Sequence, residues 1–274
     1  MKTPTIIAGL GLLASVFADN TLNIVAHQDD DLLFLSPDIL HDIADGFNVR
    51  TVYVTAGDAG RDWTYWTSRQ SGVMEAYALM AGVAPNWEES DINPQGREIQ
   101  LYTLTDAPNV SLVFMHLPDG NLAGDGFDST GHQSLEQLWR GGIQTIQTID
   151  DLHLSYSRQD LIDVLTWIIN DFEPDSMNSL DYISAYGTGD HSDHTTVGLF
   201  ANEAAIPSTY PGTVIAYRGY PISAECPNVD GADLEMKRQA FFAYSQYDDL
   251  VNCVDAACSG TDYEVWLQRL YTSN

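Results

Sequence analysis

Two short stretches hold the residues able to do chemistry. In the first, His27-Gln28-Asp29-Asp30-Asp31 sets one imidazole ahead of three consecutive carboxylates, between a mostly apolar run at 22–26 and another at 32–35. Adjacent carboxylates repel one another and are costly to desolvate, so a divalent cation is the simplest partner for them unless they form a solvated acidic turn. His27 and Asp30 stand three residues apart and can turn toward one centre. The second stretch is His191-Ser192-Asp193-His194. Three side-chain ligands with a water in the remaining position are the pattern of a catalytic zinc site. The set here is His27, one aspartate of 29–31, and one or both of His191 and His194, which leaves carboxylates over to act as base. One such ion and one carboxylate suffice for amide hydrolysis. Calcium fits less well, because histidine is a poor ligand for it and no glycine falls where a calcium loop needs one.

These stretches need elements to position them. Residues 22–26 read as a short buried strand, Ser36-Pro37-Asp38 as the start of a helix, and residues 49–55 as a second strand ending in Ala56-Gly57-Asp58-Ala59-Gly60-Arg61. Strand, helix and strand in that span make a βαβ unit, hence a mostly parallel sheet flanked by helices in a Rossmann-like α/β fold. Ligands of such sheets gather beyond the carboxyl ends of the strands, where both the acidic cluster and the glycine-rich loop fall. A helix is expected over 69–82, irregular polar chain over 84–109, and a third strand over 110–117 ending in Pro118-Asp119-Gly120. A long excursion, 122–157, is expected to wall the substrate side. Further on come an amphipathic helix over 161–172, a strand over 177–184, a helix after His194, a strand over 214–220 and a helix over 234–247. His116 reads as a packed histidine, and His41, His132 and His153 as surface groups.

The totals bound the function. The chain has 274 residues with 11 basic against 39 acidic, a net charge of −28, which argues against nucleic acid or an anionic bilayer as partner. An apolar run over 6–17 behind Lys2, closed by Ser15-Val16-Phe17-Ala18, has the layout of a secretory signal peptide cleaved after Ala18. The expectation is therefore a leader at 1–18, one domain over 19–274, an extracellular product and no stable membrane insertion. Three cysteines suit an oxidising compartment with one bridge. Cys253 and Cys258 close a short loop and are the expected pair, although Cys226 could replace either. Asn109-Val110-Ser111 is a glycosylation sequon.

The Ala-His-x-Asp-Asp and His-x-Asp-His segments together resemble the PIG-L / LmbE-like zinc-dependent de-N-acetylases, which remove acetyl groups from N-acetylglucosaminyl conjugates. The likeness extends to residues 55–61, to the arginine-led helix from Arg69, to Leu117-Pro118-Asp119-Gly120, and to a helix from Lys237 through Tyr244-Ser245-Gln246. Carried over by position, it implies His27, Asp30 and His194 as zinc ligands and Asp29 as the general base that deprotonates the metal-bound water. His191 is implied as the group that polarises the oxyanion and protonates the leaving amine, with Asp193 orienting it. Arg69 is implied to hold a sugar hydroxyl, and Asp119 and Tyr186 join it on the substrate side.

Four positions depart from the family pattern. Gln28 and Ser192 occupy positions where the family usually has proline, and Asp31 replaces a more frequent glutamate, which places it behind the ligands. Gly189 stands where some members carry an oxyanion-stabilising tyrosine, so that role is either vacant or filled from elsewhere, with Tyr186 a candidate. The resemblance thus implies a zinc-dependent deacetylase of an N-acetylated amino sugar or its conjugate, and the leader-like layout of residues 1–18 adds secretion. Its rivals are a hydrolase of another small amide, a membrane-anchored glycolipid de-N-acetylase, and a non-catalytic sugar-binding protein.

Overall fold

The computed structural model describes residues 19–273. The expected leader at 1–18 lies outside the described residues. Chain order runs β1 (Asn20–Val25), α1 (Asp38–Ala44), β2 (Asn48–Thr55), α2 (Trp63–Met80), β3 (Trp87–Ile92), β4 (Ile99–Leu104), β5 (Val110–Leu117), α3 (Leu135–Arg140), β6 (Thr145–Gln147), β7 (Ser155–Ser157), α4 (Arg158–Phe172), β8 (Ser176–Leu180), α5 (Ser192–Ala205), β9 (Ile215–Tyr217), α6 (Gly231–Ser245), α7 (Asp262–Leu267) and β10 (Thr272–Ser273).

Eight strands form one sheet in the order β10-β9-β8-β1-β2-β5-β4-β3. The five middle strands are parallel; β4 and β3 continue one edge antiparallel, and β10 closes the other in the same way. Central parallel strands are covered on both faces and need near-continuous apolar runs. Accordingly all eight residues of β5 and five of the six in β1 are buried. α2 packs on α6 and α1, while α4 and α3 pack on α5. The two groups cover opposite faces of the sheet, as right-handed crossovers require when winding reverses.

That reversal decides where a ligand goes. After β1 the chain builds outward through β2 and β5, then returns to place β8 on the other side of β1. The crevice beyond the carboxyl ends of β1 and β8 is the topological switch point of the sheet. The turn after β1 begins with His27, and the loop after β8 leads to His191 at the cap of α5.

Several boundaries differ from those expected. Residues 84–109 are not irregular: they hold the β3–β4 hairpin, whose outer positions Glu88, Glu89, Ser90 and Asp91 face water and hide the strand pattern. The helix expected from Arg69 starts at Trp63, because the Asp62 carboxylate caps it by accepting from Thr64 N at 3.1 Å. β8 stops at Leu180 rather than 184, where the Asp181 carboxylate takes up the amides of Ile183 and Ser184 and turns the chain. β9 is likewise shorter than expected. Cys253 and Cys258 are joined in a disulfide, as the short loop between them predicts, and Cys226 is free and exposed.

Candidate metal centre

β1 delivers the chain buried to Ala26, then a tight turn brings His27 N against Asp30 Oδ2 at 2.6 Å and the His27 ring to 3.4 Å from the same oxygen. From the neighbouring loop, His194 Nε2 reaches Asp30 Oδ1 at 2.8 Å. Ligand atoms of His27, Asp30 and His194 all lie within 4.8 Å of one another, and the three residues are buried. The two distant turns do share one rim. His27, Asp119, His191 and Asp193 form a second such group that overlaps the first at His27.

The histidine orientations are fixed from behind. His194 Nδ1 lies 2.7 Å from Asp190 Oδ1, which makes Nδ1 the donor and turns Nε2 inward. There is no spare room for this pair, since a Cβ on Gly219 would stand 2.4 Å from Asp190 Oδ1 and 2.6 Å from His194 Nδ1. His191 caps α5, its Nδ1 accepting from Asp193 N at 3.2 Å. Its proton therefore sits on Nε2, 3.6 Å from Asp119 Oδ1. The Asp193 carboxylate contacts His27 Nε2 at 3.2 Å and accepts from Gly120 N at 2.8 Å, whereas its approach to His191 Nδ1 is 3.8 Å. What orients His191 at closest range is the backbone amide of Asp193.

Asp29 sits at the edge of this group with its side chain 14% exposed, and Arg69 Nη2 donates to its Oδ1 at 2.8 Å. Arg69 Nε donates to Tyr244 OH and Nη1 to Gly57 O, both at 2.6 Å, and Asp248 lies 3.0 Å from Nε. Gly57 has φ +56° and a Cβ there would meet Arg69 Nη1 at 2.4 Å, so the loop passes this close only as glycine. Asp31 is fully buried behind the turn, where Tyr53 OH and Tyr77 OH each donate to its Oδ2 at 2.7 Å.

Charge in this crevice is strongly coupled. Burial pulls the His194 imidazole down, but Asp30 and Asp190 outweigh it and push it up to about 10. Burial likewise opposes the charged form of His27, yet Asp30, Asp193 and Asp119 hold it well above its usual value. Asp30 is raised by burial and more than compensated by His194 and His27, ending well below the usual carboxylate range. Asp29 moves upward, chiefly by burial, with Arg69 opposing and Asp30 adding to the rise. Burial and the neighbouring His27 push His191 down to about 4, so its imidazole is neutral at pH 7.

The donor set fits a metal ion. His194 Nε2 is buried without a hydrogen-bond partner, although it faces a carboxylate oxygen and a second imidazole. With the Nδ1 proton directed at Asp190, His194 Nε2 converges with the His27 ring on the Asp30 carboxylate, which raises both imidazoles by favouring positive charge at this point. A metal ion bound there would take the place of that proton charge between the same three side chains. Two histidines and one aspartate also match the three-ligand pattern of an open zinc site.

Tyr186 is half-buried and shares a 260 Å³ cavity with His191, but its hydroxyl is paired with Thr196 Oγ1 at 3.0 Å. Tyr220 is the tyrosine that faces the cluster, its ring 5.0 Å from that of His194 and stacked on Trp266 at 4.7 Å. The sequence marks Tyr244 only as part of the family-like helix, without a role, and no local pattern marks Tyr220 or Asp248. Sequence reasoning also missed Asp190, which an acid four residues before His194 could have signalled. His116 is packed, bonded to Asp150 and Gln70 at 3.1 Å each, and His41, His132 and His153 are exposed.

A doubly wound α/β sheet with a buried histidine–aspartate metal-binding pocket at its switch point defines the class. The profile of the family described as PIG-L: GlcNAc-PI de-N-acetylase matches residues 22–205, and the chain belongs to this family. Among solved structures it is similar to the N,N'-diacetylchitobiose deacetylase from Pyrococcus horikoshii, with a TM-score of 0.51 and 18% identity, covering 91% of this chain and 76% of that one. It is also similar to the 4-carboxy-2-hydroxymuconate hydratase GalB from Pseudomonas putida KT2440 (0.48, 13%, 90% and 82%). A third is the zinc-inhibited form of the teicoplanin deacetylase Orf2 (0.44, 17%, 90% and 89%). At 18% identity and a TM-score of 0.51, the likeness to the chitobiose deacetylase shows a shared fold. A search among curated proteins finds no match.

Proposed function

We propose that this protein is a zinc-dependent hydrolase that removes the N-acetyl group from an N-acetylated amino sugar or its conjugate. The observation that carries the reading is the convergence of His27, Asp30 and His194, with the orphaned Nε2 of His194 facing inward and Asp29 held beside them by Arg69. Family membership and the deacetylase named above support the acetylated sugar as substrate.

His27, Asp30 and His194 would hold the ion. When bound, zinc supplies Lewis acidity for the amide carbonyl and lowers the pKa of a water to about 7. Asp29, its pKa raised by burial, takes the proton from the attacking water and returns it to the departing amine as the C–N bond breaks. His191 donates from Nε2 to the oxyanion. Burial and the neighbouring His27 favour its neutral imidazole, which suits it to hydrogen-bond the oxyanion. The Asp193 amide keeps that tautomer, and the Asp193 carboxylate steadies His27. Arg69 fixes Asp29 and, with Asp119 and Tyr186, borders the sugar.

Residues 19–274 act as one domain, exported behind a leader at 1–18. Among the described residues no helix is long and apolar enough to cross a membrane.

The test is acetate release by the zinc-loaded protein from a panel of N-acetyl hexosamines and their oligosaccharides, set against other acylated amines. Turnover confined to acetylated sugars is the expected result. Bound zinc with no acetate from any amino sugar refutes the proposal.

A further inference from the structure

We propose that Asp190 is a positioning residue for the metal centre: it holds the His194 ring with Nε2 turned inward before any ion arrives, and so sets how tightly the ion is kept. The inference rests on the reading of His27, Asp30 and His194 as ligands. It deepens that reading with a residue that would touch neither ion nor substrate.

Three donors converge on one atom. Asp190 ends the loop between β8 and α5, and its side chain is 9% exposed. Its Oδ1 accepts from His194 Nδ1 at 2.7 Å, from His191 N at 3.0 Å and from Tyr220 N at 3.1 Å. Two of these donors stand at the start of α5, and the third belongs to the segment after β9. All three come from the protein, so the carboxylate holds its place without help from an ion.

An imidazole that must bind through one chosen nitrogen has two ways to go wrong. The ring can turn about Cβ–Cγ, and its proton can sit on either nitrogen. A carboxylate behind Nδ1 settles both and makes Nε2 the better electron donor. His27 is held less closely, because its Nε2 lies 3.2 Å from an Asp193 oxygen that Gly120 N also uses at 2.8 Å. A staple for the loop would account for the bonds to His191 N and Tyr220 N. It would not account for the third bond, which is the shortest and runs to a ligand side chain.

The space around this pair is closed. A Cβ on Gly219 would stand 2.4 Å and 2.6 Å from the two carboxylate oxygens and 2.6 Å from His194 Nδ1. Any side chain at 219 must therefore displace Asp190 or the ring. Gly219 lies beyond the residues that match the family profile, yet the bond behind His194 depends on it.

The experiment titrates zinc against a competing chelator in wild type, Asp190→Ala, Asp190→Asn, Gly219→Ala and His194→Ala. Denaturant unfolding of each metal-free protein gives the folded fraction. Asp190→Ala should bind zinc about 10–100-fold more weakly per folded molecule, the range for outer partners of metal-bound histidines. Asp190→Asn keeps an acceptor oxygen and should recover most of that affinity. Gly219→Ala should match Asp190→Ala, and the double variant should be no worse than either. Cobalt in place of zinc gives a second readout through its geometry-dependent visible bands, which should shift in Asp190→Ala and return in Asp190→Asn. Wild-type affinity in folded Asp190→Ala, or an equal loss in Asp190→Asn, overturns the proposal. Where Asp190→Ala does not fold, wild-type affinity in Gly219→Ala overturns it instead. Wild-type affinity in His194→Ala removes the ligand set and this inference with it. Zinc lost from His194→Ala but kept at full affinity by the Asp190 and Gly219 variants leaves the ligand set standing and sinks this inference alone.

Discussion

Residues 22–205, which match the family profile, and residues 206–273, which follow them, contribute to the same crevice in different ways. The first region brings the atoms that would meet metal and substrate: His27, Asp29 and Asp30 in the turn after β1, and His191 and His194 at the start of α5. The second brings none of these and still holds several in place. Tyr244 and Asp248 clamp Arg69, which clamps Asp29, and Tyr220 covers His194 while Gly219 makes room for its bond to Asp190. Reactive groups sit in local turns; their orientation is set by contacts from far along the chain. Substitutions in the two regions should therefore fail differently.

The largest effect is expected from His194→Ala. Removing one of three ligands should strip the bound metal and lower acetate release by on the order of 10³-fold or more, with metal content read by elemental analysis on the same sample. Full activity with metal retained would move the centre elsewhere, to the overlapping group of His27, Asp119, His191 and Asp193. Asp29→Asn comes next. It should keep the metal and lose roughly 10²–10⁴-fold in kcat, the usual contribution of a positioned acid–base group. Loss of metal in that variant would make Asp29 a ligand instead.

The second region should respond more mildly. Asp248→Asn leaves the metal ligands untouched and weakens the hold on Arg69, whose Nε lies 3.0 Å from that carboxylate. The expected result is a fall of about tenfold in kcat at unchanged metal content, in the range seen when outer hydrogen-bond partners of such sites are altered. Asp29→Asn should mask it, so that the double variant is no worse than Asp29→Asn alone. Additive losses would show that Asp248 acts by another route.

The same contrast explains what the sequence discloses. The spacing of His27 with Asp30, and of His191 with His194, is visible because each pair fits within one turn, and the parallel sheet follows from alternating strand and helix patterns. The ligand assignment within each motif comes from resemblance to the family; spacing alone leaves the choice of aspartate open. The β3–β4 hairpin escapes notice because its exposed acids break the alternation of an edge strand. The start of α2 is hidden by an aromatic run that reads as loop, and only the bond from Thr64 N to Asp62 reveals it. Tyr220 and Asp248 lie far along the chain from the groups they touch, and no periodicity encodes such a meeting.

The smallest expected effect concerns stability alone. Lys237 on α6 is fully buried, and its Nζ donates to Arg269 O at 2.8 Å. Burial pushes its pKa down to about 7, with Asp38 opposing only in part. An unfolded lysine keeps its proton to about 10.4, so between about pH 7 and pH 10 the unfolded state binds more protons than the folded one. Stability linked to this group must then rise with pH across that window, at most by about 1.4 kcal/mol per unit, and be flat below it. Lys237→Met removes the titration and keeps most of the buried stem. Denaturant unfolding of both proteins at several pH values should show wild type gaining on the variant from pH 7 to pH 10, with their difference constant from pH 5 to pH 7. A difference that stays constant throughout would mean that Lys237 remains charged inside the fold across that range, and that burial does not lower its pKa.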